Sequence, residues 1–579
     1  MLIILLTWIC ITILVYPAGV LLHTLLKQLF RLETVNEHFS IHCISGLLVT
    51  SFISCLLCLF IPIGLISNLL LSAISLAGVV LNRKDTRNAI GNDLQRLKKG
   101  QWTISLVLFA FVIVFSYLSY LPSSHYDDGL YYSTGIKWLQ EYGTIKGLAN
   151  LSQRIGYNSS WHILQANFGF RFLHAGLFND LNGLLIVYML LYSAGGINNL
   201  IKGNNSAHNC VRSMIMIPVL LFHFGAASDI ILFNVNLVSS SSADIPACLI
   251  TWLIFMLFLK KRNDNQQAIQ LTDILVILYS AWNLSIKLSV LPIVLLSIYL
   301  VYRLVISRKF NVAVLLVLLS LIFILPWLIR NIYISGYLLF PFSAIDIFQV
   351  EWKLPLSQVK WNENAVRAFA LGVDLEKPFN IPFTEWFPAW LGKANFIQQV
   401  SLGLVMIATV TYILIVIRWS WSRSWNFFRR NEKDIVGLVT CFAGILFWLY
   451  KAPDFRFGYG FICFYCIYFI AITSSYFLED SLHYLFLPIA LYMAAVLIFY
   501  YKDRWMSARL LFAKPLEYRM PVTLKQIPLS DKLHMNIVSQ EDSWNAPLPV
   551  ANEQEFIMLK PGLIGTSIEQ GFKSNKKGN

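Results

Sequence analysis

The sequence predicts an all-α polytopic membrane protein, and three observations carry that reading. Of 579 residues, 57% are hydrophobic and only 13% charged, against about 25% charged residues in soluble domains. The apolar residues also fall in runs near the length of one bilayer crossing, ~20 residues. Finally, lysines and arginines gather in short segments on alternate connections, which is the positive-inside pattern. The most basic segment is 82–101, with Arg83, Lys84, Arg87, Arg96, Lys98 and Lys99; 260–262, 308–309 and 418–433 fall on the same side. The net charge of +14 is therefore explained by topology, and no nucleic-acid partner is expected.

Taken in order, the spans are expected at 2–26, 42–62, 63–81, 102–121, 178–200, 211–232, 246–260, 271–286, 288–306, 311–330, 399–418, 434–450, 459–477 and 482–501. That gives about 14 transmembrane helices at the usual ~20 residues each. The N-terminal run has no basic stretch before it and no small-residue cleavage site, so it reads as a retained span. The first three spans carry few polar residues and, with the basic segment, form an N-terminal unit, 1–100. The core is 101–501. With the basic segments in the cytoplasm, 121–177, 233–245, 331–398, 451–458 and the tail lie outside. The loops 121–177 and 331–398 are rich in Trp, Tyr, Phe and Pro, which suits a lipid interface.

The pairs Cys55/Cys58 and Cys463/Cys466 have CxxC spacing inside apolar runs and read as core or lipid-facing thiols. The tail, 502–579, is polar and proline-rich with short extended runs at 521–527 and 556–559. It is expected to be a small extracytoplasmic domain open to β structure. There is no tandem repeat and no glycine-rich nucleotide loop.

The stretch 121–170 organises the chain. Asp127 and Asp128 stand just past the exit at Leu121 and Pro122, with His125 and Tyr126 beside them. One carboxylate suffices to cap a helix. The second is free to act as a general base or to hold a divalent cation, and the sequence leaves open which acid does which. After them, Leu130, Ile136, Trp138 and Leu139 make an apolar stripe, with Lys137, Gln140 and Glu141 expected on the wet side.

Asp244, after four serines and two residues before Pro246, begins a span. It reads as a helix start or as a second carboxylate across a cleft. Lys287, between two spans, is an ionisable group in the membrane zone, where charge is expensive. Arg330 leaves its span on the outer side with Asn331, and Arg456 lies in a short turn with Lys451 and Asp454. Outward arginines run against the positive-inside trend, and a phosphate or an ion pair would account for them.

These residues resemble the GT-C-fold glycosyltransferases, integral membrane enzymes that use polyprenyl-phosphate-linked sugars. The likeness runs over roughly 101–501: an acidic first outer loop with Asp127 and Asp128, an acid at a later helix start, Asp244, and a lysine between short spans, Lys287. PWLIRNIYISGYLLFPF, carrying Arg330, and APDFRFGYG, carrying Arg456, complete it. More narrowly, DDGLYYSTGIKWLQEYG, RIGYNSSW and SWNAPLP look like a bacterial family of multi-pass membrane proteins.

The resemblance implies inverting transfer of a hexosyl or pentosyl group, at the extracytoplasmic face of a bacterial inner membrane. The donor would be a polyprenyl-phosphate sugar and the acceptor a glycan, a lipid or a protein. Asp127 or Asp128 would be catalytic. His125, Lys287, Arg330, Arg456 and Asp244 would bind substrate, with Asn158 and Trp161 shaping the acceptor side. No cofactor and no metal-ligand set is read, although a divalent ion at the acids stays open. Two alternatives also stay open: a flippase of lipid-linked glycans, and an O-antigen-type polymerase or ligase. Transporters tend to show repeats and midplane charge, which this sequence lacks.

Overall fold

In a computed structural model the chain is described at all residues except 34–36, 124, 174–179, 205, 219–236, 261–268, 376–377, 422–430, 478–522, 531–532, 540–541 and 576–579. It opens with α1 (Leu2–Phe30), α2 (Phe39–Leu57), α3 (Leu65–Leu81) and α4 (Arg83–Lys99). Next come α5 (Trp102–Tyr120), the short α6 (Ser133–Glu141) and α7 (Ser160–Phe168), then α8 (Leu181–Ile201) and α9 (Ala207–Met214). α10 (Asp244–Leu259), α11 (Leu271–Ile286), α12 (Val294–Ile306) and α13 (Phe310–Ser335) lead to a second excursion with α14 (Leu356–Leu371) and α15 (Phe383–Lys393). α16 (Phe396–Trp421), α17 (Glu432–Lys451) and α18 (Phe455–Phe477) follow.

The protein is a multi-pass membrane protein. Among the described residues, nine helices are long and apolar enough to cross a bilayer, or ten if α3 and α4 count as one bent span. The expected spans over 246–260 and 271–286 exist as α10 and α11. Each has 16 residues, about 24 Å of helix, and both are buried along nearly their whole length. The expected spans at 482–501 and, from residue 219 on, at 211–232 lie outside the described residues.

The basic segment 82–101 is a helix, α4, turned 91° from α3. It is tied to α1 by Tyr16 donating to Asp93 at 2.9 Å and Thr24 to Asp85 at 3.1 Å. α5 then runs 19 residues, about 29 Å, to the Asp127–Asp128 turn. The basic segments and the acid turn therefore lie at opposite ends of the bundle. The basic end also holds the Arg303–Glu432 pair at 2.5 Å and the Lys433–Asp273 pair at 3.2 Å.

Helix packing is closest between α1 and α2. A Cβ on Gly19 would lie 1.8 Å from the His42 carbonyl oxygen, and one on Gly46 the same distance from that of Val15. Reciprocal glycines let two backbones touch where lipid gives no hydrophobic drive for helices to pair. α2 in turn packs on α7, α8 and α13, and α10 on α11 and α18. Cys55, Cys58, Cys463 and Cys466 are buried free thiols, as core packing would have them.

The described part of the tail holds five short strands, β1 (Leu524–Ser530), β2 (Leu533–Val538), β3 (Val550–Asn552), β4 (Pro561–Leu563) and β5 (Phe572–Ser574), with α19 (Glu553–Leu559) between β3 and β4. β2 pairs antiparallel with β1 and parallel with β3, and β4 pairs antiparallel with β5. The run expected to be extended at 556–559 lies in α19. Asn552 accepts from the Glu555 amide at 2.7 Å, and Glu553 and Glu555 favour the helix start.

The tail does not stand apart. Met535, Ile537, Leu559 and Phe572 share one core with Trp138, Leu148, Ile334, Tyr337 and Val359, so it is fused to both loops. This revises the expected face of α6. Gln140 is buried and Lys137 bonds the tail, so the helix is enclosed and does not lie wet along an interface.

Candidate functional site

The acid turn is built by short-range bonds. The His125 amide donates to Ser123 Oγ at 3.2 Å, the Asp127 amide to His125 Nδ1 at 3.1 Å, and the Asp128 amide to the His125 carbonyl at 3.1 Å. His125 Nδ1 is thus an acceptor, which places the ring proton on Nε2. Residues Asp128–Tyr132 then form one π-helical turn, closed by Ser133 Oγ on the Asp128 carbonyl at 2.6 Å. Such a widened turn changes where successive side chains point and is frequent at functional sites.

The two acids consequently face different ways. Asp128 is fully buried. Its Oδ1 accepts from the Ser241 amide at 3.2 Å and Ser241 Oγ at 2.6 Å, and Ser123 Oγ bonds its Oδ2. It pins the serine loop that precedes α10. Asn182 holds the same loop, donating to the carbonyls of Leu237, Ser240 and Ser242 at 2.9–3.0 Å.

The Asp127 side chain keeps 18% exposure. Its Oδ2 lies 3.2 Å from Arg456 Nη1, 3.5 Å from the Tyr132 hydroxyl and 4.0 Å from His125 Nδ1. Arg456 also donates through Nε to Asp454 at 2.9 Å and stands 3.9 Å from Asp244 Oδ2. The other Asp244 oxygen pairs with Lys287, whose ammonium lies 3.9 Å from the centre of the Phe457 ring. Lys287, Asp244, Arg456 and Asp127 form one continuous chain of charge contacts across four separate elements.

Arg330 is placed apart from that chain. It is buried, donates through Nε to Thr144 at 3.2 Å and bonds Asn158 through Nη1. Asn158 is held in turn by Asn331 at 2.8 Å and by Trp327 at its carbonyl. Among the described residues no carboxylate pairs with Arg330. His162 joins the two groups. Its ring packs 4.6 Å from that of Tyr132 and lies within electrostatic reach of Arg330, Lys287 and Asp127. Burial, aided by Arg330 and Lys287, pushes the imidazole down to about 3, so it is neutral. Burial also lowers His125, against the opposing pull of Asp128 and Asp127.

Trp161 is wholly buried and donates to Asn182 at 2.8 Å, and through Asn182 it steadies the serine loop. Ser241, Asn182 and Tyr132 were not singled out by sequence reasoning. Their partners lie across the fold, and only the run of four serines beside Asp244 hinted at them. Among the described residues no three His, Cys, Asp or Glu side chains are grouped to hold a metal ion, and the acids here are taken by cations and hydroxyls.

A family described as "Domain of unknown function (DUF8201)" matches residues 1–463. The match includes every residue of the charge chain and ends before the tail. No curated protein and no solved structure matches.

Proposed function

The chain belongs to the DUF8201 family, and we propose that it is an integral-membrane glycosyltransferase of GT-C-like architecture. It would act at the extracytoplasmic face of a bacterial inner membrane on a polyprenyl-phosphate-linked sugar. The observation that carries this reading is the partly exposed Asp127 at the end of a chain of charge contacts that runs through Arg456 and the buried Asp244 to Lys287, at the bundle end opposite the basic segments. The positive-inside rule supports an outward orientation for that end.

Around Arg456 stand three carboxylates, Asp127, Asp244 and Asp454. Asp127, at the partly exposed end of this set, is the group assigned to accept the proton of an acceptor hydroxyl. As the proton leaves, the hydroxyl oxygen bonds the anomeric carbon from the face opposite the lipid phosphate. The bond from that carbon to the phosphate oxygen breaks, and its electron pair leaves with the phosphate. One displacement inverts the centre.

Arg456 aims Asp127 through their 3.2 Å contact. Arg330, which no carboxylate neutralises among the described residues, is the better counter-charge for the departing phosphate. Buried charge of this kind pays off only where a ligand or partner compensates it. The acceptor class is a glycan, a lipid or a protein carrying a free hydroxyl.

The test is the leaflet on which lipid-linked sugar collects in cells lacking the protein. Accumulation on the extracytoplasmic leaflet is expected of a lost transferase. Accumulation on the cytoplasmic leaflet would replace this reading with flipping.

A further inference from the structure

The tail segment 543–546 touches the acid turn at Gly129. The Ser543 and Trp544 amides both donate to the Gly129 carbonyl, at 2.8 and 2.9 Å, and Ser543 Oγ bonds Thr134 Oγ1 at 2.6 Å. Lys137, one turn along α6, donates to the Ala546 carbonyl at 2.9 Å. The residue after the two acids is glycine for a steric reason. A Cβ at Gly129 would lie 2.7–2.9 Å from the Trp544 indole, closer than real contacts allow. Trp544 itself holds φ at 39°, a left-handed conformation that a bulky residue adopts only where its surroundings over-determine it.

These are main-chain bonds to the turn that aims Asp127, made by a segment more than 400 residues away in sequence. A π-helical turn of five residues has a poor intrinsic claim to its shape, since runs of this kind survive where tertiary structure supports them.

We propose that the tail is a clasp on the acid turn, with Trp544 as the positioning residue that fixes the direction of Asp127 against Arg456. The indole fills the space over Gly129 and the two amides lock its carbonyl, so the turn cannot relax to an ordinary α-helical path. Loss of the clasp frees the turn without disturbing the bundle. The proposal rests on the geometry of the turn and stands whether or not the reaction is sugar transfer.

Hydrogen exchange read by mass spectrometry on the full chain in lipid nanodiscs tests it. Exchange in peptides over 126–134 should rise at least about tenfold in Trp544→Ala and in Gly129→Ala, and stay within about threefold of wild type in Trp544→Phe. Peptides over α8 and α10 should be unchanged in all three. Unchanged exchange at 126–134 in both Trp544→Ala and Gly129→Ala overturns the clasp, as does equal exchange in Trp544→Ala and Trp544→Phe. If Trp544→Ala does not fold, Ser543→Ala takes its place: it removes only the hydroxyl contacts, should raise exchange at 126–134 by about threefold, and no rise there overturns the proposal.

A second readout separates positioning from general support. In cells, the loss of surface glycan in Asp127→Asn combined with Trp544→Ala should equal that of Asp127→Asn alone, because both act through one group. Additive losses overturn the positioning role. A normal glycan level in Asp127→Asn leaves the clasp standing on its exchange data and removes the sugar-transfer reading instead.

Discussion

Asp127 and Asp128 are neighbours in the chain with opposite environments, and substitutions should separate them. Asp127→Asn keeps the size of the side chain and removes the base; transfer should fall by about 10²–10⁴-fold with little change in melting temperature, because the acid is partly exposed. Asp128→Asn places an amide against the Ser241 amide and hydroxyl and should cost about 1–3 kcal/mol of stability, read as a lowered unfolding midpoint in detergent. His162 supplies a pH test. Its folded value lies near 3 against an ordinary 6.5, so the folded state prefers the neutral ring. Stability is then full above pH 6.5 and falls as pH drops towards 3, by at most about 1.4 kcal/mol per pH unit. His162→Gln should lower the slope of that part of the pH–stability curve by one group's share, with His125 and the other buried histidines keeping the rest. At this scale the sequence displayed most of the charged groups, Arg456 and Lys287 among them. It did not display the pairing, since Ser241 meets Asp128 across 113 residues and Arg456 meets Asp127 across 329.

Elements are legible in the sequence where periodicity and length are decisive, and less so where neighbours decide the outcome. The long apolar helices α1, α5, α8 and α13 fall where hydrophobic runs of membrane length place them. α10 and α11 were legible as apolar runs, but their burial on all sides was not. α6 has the spacing of a half-wet helix. It is enclosed because the tail, more than 380 residues later, packs Phe572 against Trp138 with ring centres 6.1 Å apart. Trp138→Ala should therefore cost about 3–5 kcal/mol, far more than an interfacial tryptophan would, as measured by thermal unfolding of the full chain. At the α1–α2 crossing, Gly46→Leu sets a side chain where the Val15 carbonyl stands. Overpacking of about 1–3 kcal/mol or more is expected, and a wild-type unfolding midpoint would show that the two helices do not meet there.

At the scale of the whole molecule, the basic segments and the acid turn mark the two ends of the bundle, and the tail belongs with the acid end through its shared core. Orientation across the membrane is open to direct labelling. A membrane-impermeant thiol reagent on intact cells should modify Lys573→Cys and leave Arg87→Cys unlabelled, and the reverse pattern would turn the protein over. The sequence made this architecture legible through charge alternation, whereas the docking of the tail depends on apolar residues too few and too scattered to announce it. The decisive measurement is of lipid-linked sugar on the extracytoplasmic leaflet, together with surface glycan, in cells whose only copy is wild type or Asp127→Asn. If Asp127 is the base, the variant accumulates the donor and loses the glycan while its protein level and tail docking are unchanged. If Asp127→Asn supports wild-type glycan with no donor build-up, sugar transfer by this site is contradicted.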